Sequence, residues 1–220
     1  MQQDKKLLIG TVAVAVLIFG GLVWALLSTS PSDVGPTDGN VTFSDENDPS
    51  VGPADAKVVV RLFSDLQCPA CRAAEAGATH AIEKFKDRVR FVWNDFPLLQ
   101  IHPNARLAAN AARCAEDQGK FWEYKDVLFR EQDRWSKSGA LIESFQAYAA
   151  QLGLKADDFN TCLDARTHDG KVMADVSEGQ QNRVDRTPTV FINNTRHFGL
   201  SPEDWDRLLN AALQQSGAGS

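Results

Sequence analysis

Cys68-Pro69-Ala70-Cys71 is the segment of this 220-residue chain whose residue types and spacing could do chemistry. A β-branched apolar run from Lys57 to Phe63 precedes it directly and reads as a buried strand. Residues 69–86 follow with apolar positions at helical spacing, so Cys68 falls where a strand turns into a helix. At a helix start the unpaired N–H groups and the helix dipole favour an anion, which stabilises a Cys68 thiolate. Pro69 suits the first helical position, where its missing N–H costs nothing. A spacing of three puts Cys71 on the same side of the helix, about one turn deeper. An exposed Cys68 sulfur would attack, and a sheltered Cys71 would resolve the mixed disulfide. Two other readings use the same pair. Half of a zinc site would need two more ligands, usually a close pair, whereas Cys114 and Cys162 stand far apart in sequence. An inert structural disulfide is the other; the strand-then-helix setting is the context that a redox C-x-x-C needs.

The elements that must position this pair can be read in outline. Val89, Phe91 and Trp93 alternate with Arg90, Val92 and Asn94 as a second strand, and strand–helix–strand over this length implies a parallel pair with a right-handed crossover. Residues 103–182 read as a block of about four helices, with Ala105, Ala108, Ala109 and Ala112 along one face and a break at Gly119. Strand pattern returns at Thr189 to Ile192. Asn193-Asn194 marks a turn, and Thr195 to Phe198 would run back antiparallel. Ser201-Pro202-Glu203-Asp204 then opens a last helix, whose apolar stripe is Trp205, Leu208, Leu209, Ala212 and Leu213. The pattern is βαβ, a helical block, then ββα.

Charge and hydropathy divide the rest of the chain. The net charge of −6 is concentrated in residues 28–56, which hold Asp33, Asp38, Asp45, Glu46, Asp48 and Asp55 and no Lys or Arg. The globular part is close to neutral and gives no electrostatic reason to expect a nucleic-acid partner. Leu7 to Leu27 carries no charge and as a helix would be ~32 Å long, enough to cross a bilayer core. Lys5 and Lys6 before it and acids after it place the N-terminus in the cytoplasm and the rest outside. A cleaved signal peptide is the alternative, but the run exceeds the usual ~7–15 apolar residues and no clear cleavage site follows. Either reading sends the cysteines to an oxidising side. There Cys114 and Cys162 are expected to form a structural disulfide. A second redox relay is the competing reading, although neither cysteine has a C-x-x-C context. The four histidines show no paired spacing and read as surface or packing residues, with His102 helping to shape a helix start. No nucleotide loop, H-E-x-x-H or G-x-S-x-G occurs.

Three features together resemble the DsbA family of thioredoxin-fold thiol:disulfide oxidoreductases. They are Cys68-Pro69-Ala70-Cys71 after a strand, the helical insert, and Thr187-Pro188-Thr189 before the last hairpin. Phe96-Pro97-Leu98, His102-Pro103-Asn104-Ala105 and Phe121-Trp122 are similar to its membrane-anchored, BdbD-like branch. The resemblance covers about residues 44–214. It implies that Pro188 is cis and faces the active-site sulfurs; read alone, Thr-Pro-Thr is an ordinary turn or edge-strand proline. Many members carry a glutamate six residues before the first cysteine, buried beneath the pair as a proton acceptor. Leu62 occupies that position here, after Arg61, which could help hold a thiolate or point to solvent. The middle dipeptide also lacks the histidine of strongly oxidising periplasmic members.

The expected organisation is an α/β thioredoxin fold with an inserted helical domain, preceded by one transmembrane helix. Residues 1–6 form a cytoplasmic N-terminus, 7–27 an anchor and 28–56 a flexible acidic linker. Residues 57–96 and 184–215 form the two thioredoxin halves, 97–183 the helical insertion and 216–220 a tail. The expected function is a membrane-tethered disulfide oxidase, with Cys68 and Cys71 catalytic, Pro69 and Ala70 between them, and Thr187 and Pro188 as the cis-proline loop. Its partners would be reduced extracytoplasmic substrate proteins and, by resemblance, a DsbB-like or VKOR-like membrane reoxidant. No metal or cofactor is expected. The alternatives are a reductase or isomerase of the same fold, or a non-catalytic metal-carrying or sensor protein.

Overall fold

The computed structural model describes residues 41–44 and 48–217. The expected cytoplasmic N-terminus at 1–6, the expected anchor at Leu7 to Leu27, residues 28–40 and 45–47 of the expected linker and residues 218–220 of the tail lie outside them. Among the described residues no helix is long and apolar enough to cross a membrane.

Five strands make one mixed sheet in the order β1-β3-β2-β4-β5. They are β1 (Ser50–Val51), β2 (Val58–Ser64), β3 (Val89–Asp95), β4 (Thr189–Ile192) and β5 (Thr195–His197). The central β2 runs parallel to β3, with Leu62 opposite Trp93, and antiparallel to β4, with Leu62 opposite Val190. The parallel pair is joined through α1 (Pro69–Phe85). Residue alternation gives the sheet two apolar faces. Val58, Val60, Leu62, Phe91, Trp93 and Val190 join the large core with α1 and with α8 (Pro202–Gln215). Phe63 and Phe191 form a smaller core with Phe96, Val176 and Val184.

Between β3 and β4 lie α2 (Ala105–Glu116), α3 (Phe121–Arg130), α4 (Gln132–Trp135), α5 (Leu141–Gln151), α6 (Ala156–Ala165) and α7 (Asp169–Gln181). The block thus holds six helices among the described residues, rather than about four. The chain breaks after Arg130, where Glu131 is non-helical, and after Ala165, where Arg166 takes φ 50°. Cys114 of α2 and Cys162 of α6 are bonded to each other. At α8 the Ser201 hydroxyl accepts from the Asp204 N–H, and Asp204 returns the bond to the Ser201 backbone, a reciprocal cap.

The linker expected over 28–56 ends too late. Ser50 and Val51 pair antiparallel with Val92 and Phe91 on β3. Phe43 packs on Phe191, with ring centroids 5.0 Å apart. Asp48 is buried and takes a hydrogen bond from Arg113 Nη2 at 3.2 Å. The sequence conceals this because a two-residue strand has no periodicity and sits among Pro, Gly and Asp.

Candidate active site

Cys68 is the N-cap of α1, extended at φ −74° and ψ 123°, and Pro69 opens the helix. No side chain caps that helix start, so its orphan N–H groups face the sulfur. Cys68 and Cys71 are both unbonded thiols and both buried, Cys68 at 7% exposure and Cys71 at 2%. The sequence suggests an exposed attacking sulfur. Cys68 is only the less buried of the two, and Thr187 lies against it. The Thr187–Pro188 bond is cis, and the Thr187 carbonyl lies 3.8 Å from Cys68 Sγ, close enough to accept from it while it is a thiol.

The two sulfurs titrate in opposite directions. A hydrogen bond from the Cys71 thiol, then the Cys71 and Ala70 N–H groups and the Thr187 hydroxyl, hold Cys68 down to about 5 against the cost of burial. The Thr187 hydroxyl is buried beside both sulfurs. Burial, reinforced by the Cys68 thiolate, pushes the Cys71 thiol far up. Cys68 is therefore the anion and Cys71 the proton carrier, the division that exchange chemistry requires.

The helical insert grips the turn that presents Cys68. Gln132 of α4 donates to the carbonyls of Leu66 (2.7 Å) and Cys68 (3.1 Å). Gln67 donates to the Ser136 carbonyl and accepts from the Asn104 N–H. Asp65 accepts from the N–H groups of Gln67 and Leu98, and His102 Nδ1 lies 2.7 Å from it. His102 thus braces the turn before Cys68 as well as lying ahead of α2. The Asp65 N–H in turn donates to Cys71 Sγ at 3.4 Å.

Arg61 lies away from the sulfurs, its guanidinium 4.5 Å over the ring of Phe43 on the far face of the sheet. Cys114 and Cys162 are joined within the insert. Together with His168 they form the only grouping of metal-ligating side chains among the described residues, but their sulfurs are already bonded to each other. Sequence reading missed Arg113, Glu75 and Lys125, whose burial depends on helices from other parts of the chain. Arg113 lies against Asp48, Asp95 and Asp175. Lys125 pairs with Glu75, one turn beyond Cys71.

A family model described as Thioredoxin matches residues 44–211. The oxidised BdbD of Bacillus subtilis superposes with a TM-score of 0.66 at 24% identity, over 79% of this chain and 95% of that one. The α-DsbA1 of Wolbachia pipientis does so with a TM-score of 0.67 at 20% identity, over 84% and 98%. Among curated sequences, the Na(+)/H(+) antiporter NhaA 3 of Salinispora tropica is 37% identical over 148 residues, 67% of this chain and 22% of its own length. The chain spans only about a fifth to a third of such relatives.

Proposed function

Because this chain belongs to the thioredoxin family and has the DsbA-like form of that fold, we propose that it is a membrane-tethered thiol:disulfide oxidoreductase. It acts as an oxidase, passing the Cys68–Cys71 disulfide to secreted or surface proteins. One observation carries the reading: Cys68 is held down to about 5 at the start of α1 while Cys71 beneath it stays a thiol. A stabilised thiolate favours the reduced pair, so the oxidised pair gives up its disulfide readily. A substrate thiolate attacks Cys68, the Cys68–Cys71 bond breaks and Cys71 leaves. A second substrate thiolate then attacks the substrate sulfur of the mixed disulfide, and Cys68 leaves as a stable thiolate. The turn of buried Thr187 and half-buried Pro188 beside Cys68 offers polar groups to an extended substrate chain.

The tether is the uncharged run Leu7 to Leu27, with the exchange domain on the extracytoplasmic side. Regions similar to this chain within proteins named as Na(+)/H(+) antiporters support a place at a membrane; ion exchange is not part of the proposal. Reoxidation falls to a DsbB-like or VKOR-like membrane partner. Equilibration with glutathione buffers tests the direction of electron flow. A potential near ~−120 mV marks an oxidase, and one near ~−270 mV would make the protein a reductase. Fractionation of cells expressing the full chain tests the tether, which fails if the protein is recovered without the membrane.

A further inference from the structure

The Cys114–Cys162 disulfide joins α2 to α6, apart from the exchange chemistry of Cys68 and Cys71. Its two sulfurs and a ring nitrogen of His168 all lie within 4.8 Å of one another. His168 is the N-cap residue of α7, so three helices of the insert converge on one point. A fourth donor stands at the end of α2. Asp117 Oδ2 is 2.8 Å from His168 Nε2 and 3.6 Å from Cys162 Sγ. A structural disulfide needs neither neighbour.

These groups are held by contacts that do not depend on the S–S bond. Asn110, fully buried one turn before Cys114, accepts from the His168 N–H at 3.0 Å, and its amide nitrogen lies 3.8 Å from Cys114 Sγ. Arg166, at φ 50°, makes the turn between Cys162 and His168. Within that turn the Thr167 N–H and hydroxyl both donate to the Cys162 carbonyl. Opening the disulfide therefore leaves two thiols, an imidazole and a carboxylate close together, with Asn110 behind them as an orienting partner.

We propose that Cys114, Cys162, His168 and Asp117 bind one Zn²⁺ ion when the Cys114–Cys162 bond is reduced. Two thiolates, one imidazole and one carboxylate form a donor set that suits zinc. Tetrahedral zinc, with Zn–S at ~2.3 Å, sets a sulfur and an oxygen ligand ~3.6 Å apart and two sulfurs ~3.8 Å apart. Cys162 and Asp117 already stand at the first spacing. The second needs the freed sulfurs to turn apart about their Cα–Cβ bonds, and Cα atoms 5.8 Å apart allow it. Binding takes both cysteines as thiolates and releases their two protons.

Oxidation by an organic disulfide such as oxidised glutathione reverses the binding. The Cys162 thiolate, the less buried of the two, attacks one glutathione sulfur, and the other glutathione leaves as a thiolate. The Cys114 thiolate then attacks Cys162 Sγ in the mixed disulfide. The Cys114–Cys162 bond forms, and the second glutathione leaves as a thiolate. Two electrons have passed to glutathione, and Zn²⁺ loses both sulfur ligands and departs. The ion thus fastens α2 to α6 in the reduced chain, as the disulfide does in the oxidised one.

The test uses the full chain carrying Cys68→Ser and Cys71→Ser, which removes the other sulfur pair and makes the outcome independent of the redox reading. The chain is reduced with a phosphine, its two thiols are counted by alkylation and mass, and the reductant is removed under argon. Co²⁺, a coloured stand-in for Zn²⁺, should bind at one ion per chain. It should show thiolate-to-metal charge transfer and the strong visible bands of a tetrahedral site, and Zn²⁺ should displace it mole for mole. The oxidised chain should give no charge-transfer band. His168→Ala and Asp117→Ala alter side chains that are 23% and 50% exposed and leave both cysteines in place. Each should weaken Zn²⁺ binding at least tenfold. Zn²⁺ should also raise the melting temperature of the reduced chain, and much less so in His168→Ala. A reduced chain without the charge-transfer band overturns the proposal. So does unchanged affinity in either variant, or binding that survives Cys114→Ala, Cys162→Ala.

Discussion

Cys68 owes its acidity first to the Cys71 thiol and then to the N–H groups at the start of α1. Ultraviolet titration of the reduced protein should find the thiolate forming at about 5. In Cys71→Ala the midpoint should rise, since the largest stabilising contact is gone, yet stay below the ordinary ~8.5 because the helix end remains. A rise all the way to that value would refute the helix-end contribution. A thiol whose pKa is depressed by folding stabilises the native state above its unfolded pKa, and that contribution is lost as pH falls through the folded value. The melting temperature of reduced protein should therefore gain on that of oxidised protein as pH rises from 5 to 8. A constant difference would contradict the assignment.

At the level of elements, the helical insert is fastened by packing and by one covalent link. Gly179 of α7 lies so close to the sheet that a Cβ there would come within 2.7 Å of the Phe96 ring and 3.1 Å of Phe63. Gly179→Ala should cost ~1–3 kcal/mol through overpacking, measured as a lower denaturant midpoint; an unchanged midpoint would show that Phe96 can retreat freely. Cys114 and Cys162 join α2 to α6 across a sequence separation of 48 residues. In the chain-entropy model such a loop contributes ~4 kcal/mol. The double variant Cys114→Ala, Cys162→Ala should melt earlier and keep its exchange rate per folded molecule. Lost turnover with unchanged melting would instead make this pair a relay.

The whole molecule is tied together by buried charge. Arg113 of α2 reaches Asp95 on β3 (2.7 Å), Asp175 on α7 (2.6 Å) and Asp48 ahead of β1 (3.2 Å), and Lys171 joins Asp48 and Asp175. Acids outnumber bases in this cluster, and burial pushes Asp175 and Glu116 each up to about 7. A carboxyl raised by folding supports the native state below its unfolded pKa, and that support is lost as pH rises through the folded value. Oxidised protein, in which no thiol titrates, should therefore be more stable near pH 5 than near pH 8, and Asp175→Asn should flatten that slope. A parent slope of opposite sign would show that other groups dominate. Asp48→Ala should cost ~1–3 kcal/mol, because the buried donors of Arg113 and Asn94 lose an acceptor; an unchanged denaturant midpoint would mean that residues 48–51 are not anchored here.

Local structure is specified by neighbouring residues alone. The strand Val58–Ser64, the helix start at Cys68, the cap at Ser201-Pro202 and the hairpin turn at Asn193 follow from periodicity and turn chemistry within a few residues of each other. The redox pair was legible for the same reason, since two sulfurs three apart at a helix start need no distant partner to be recognised. What lies far apart in sequence was decided only by the tertiary structure. Residues 41–51 belong to the folded body because β3 and Arg113 supply their partners, and nothing in an acidic Pro- and Gly-rich stretch announces that. Arg61 could have faced either way until Phe43 arrived over it. Lys125 and Glu75, 50 residues apart, look like ordinary surface charges in sequence. Only the tertiary structure brings the two side chains together, burying Lys125 and half-burying Glu75.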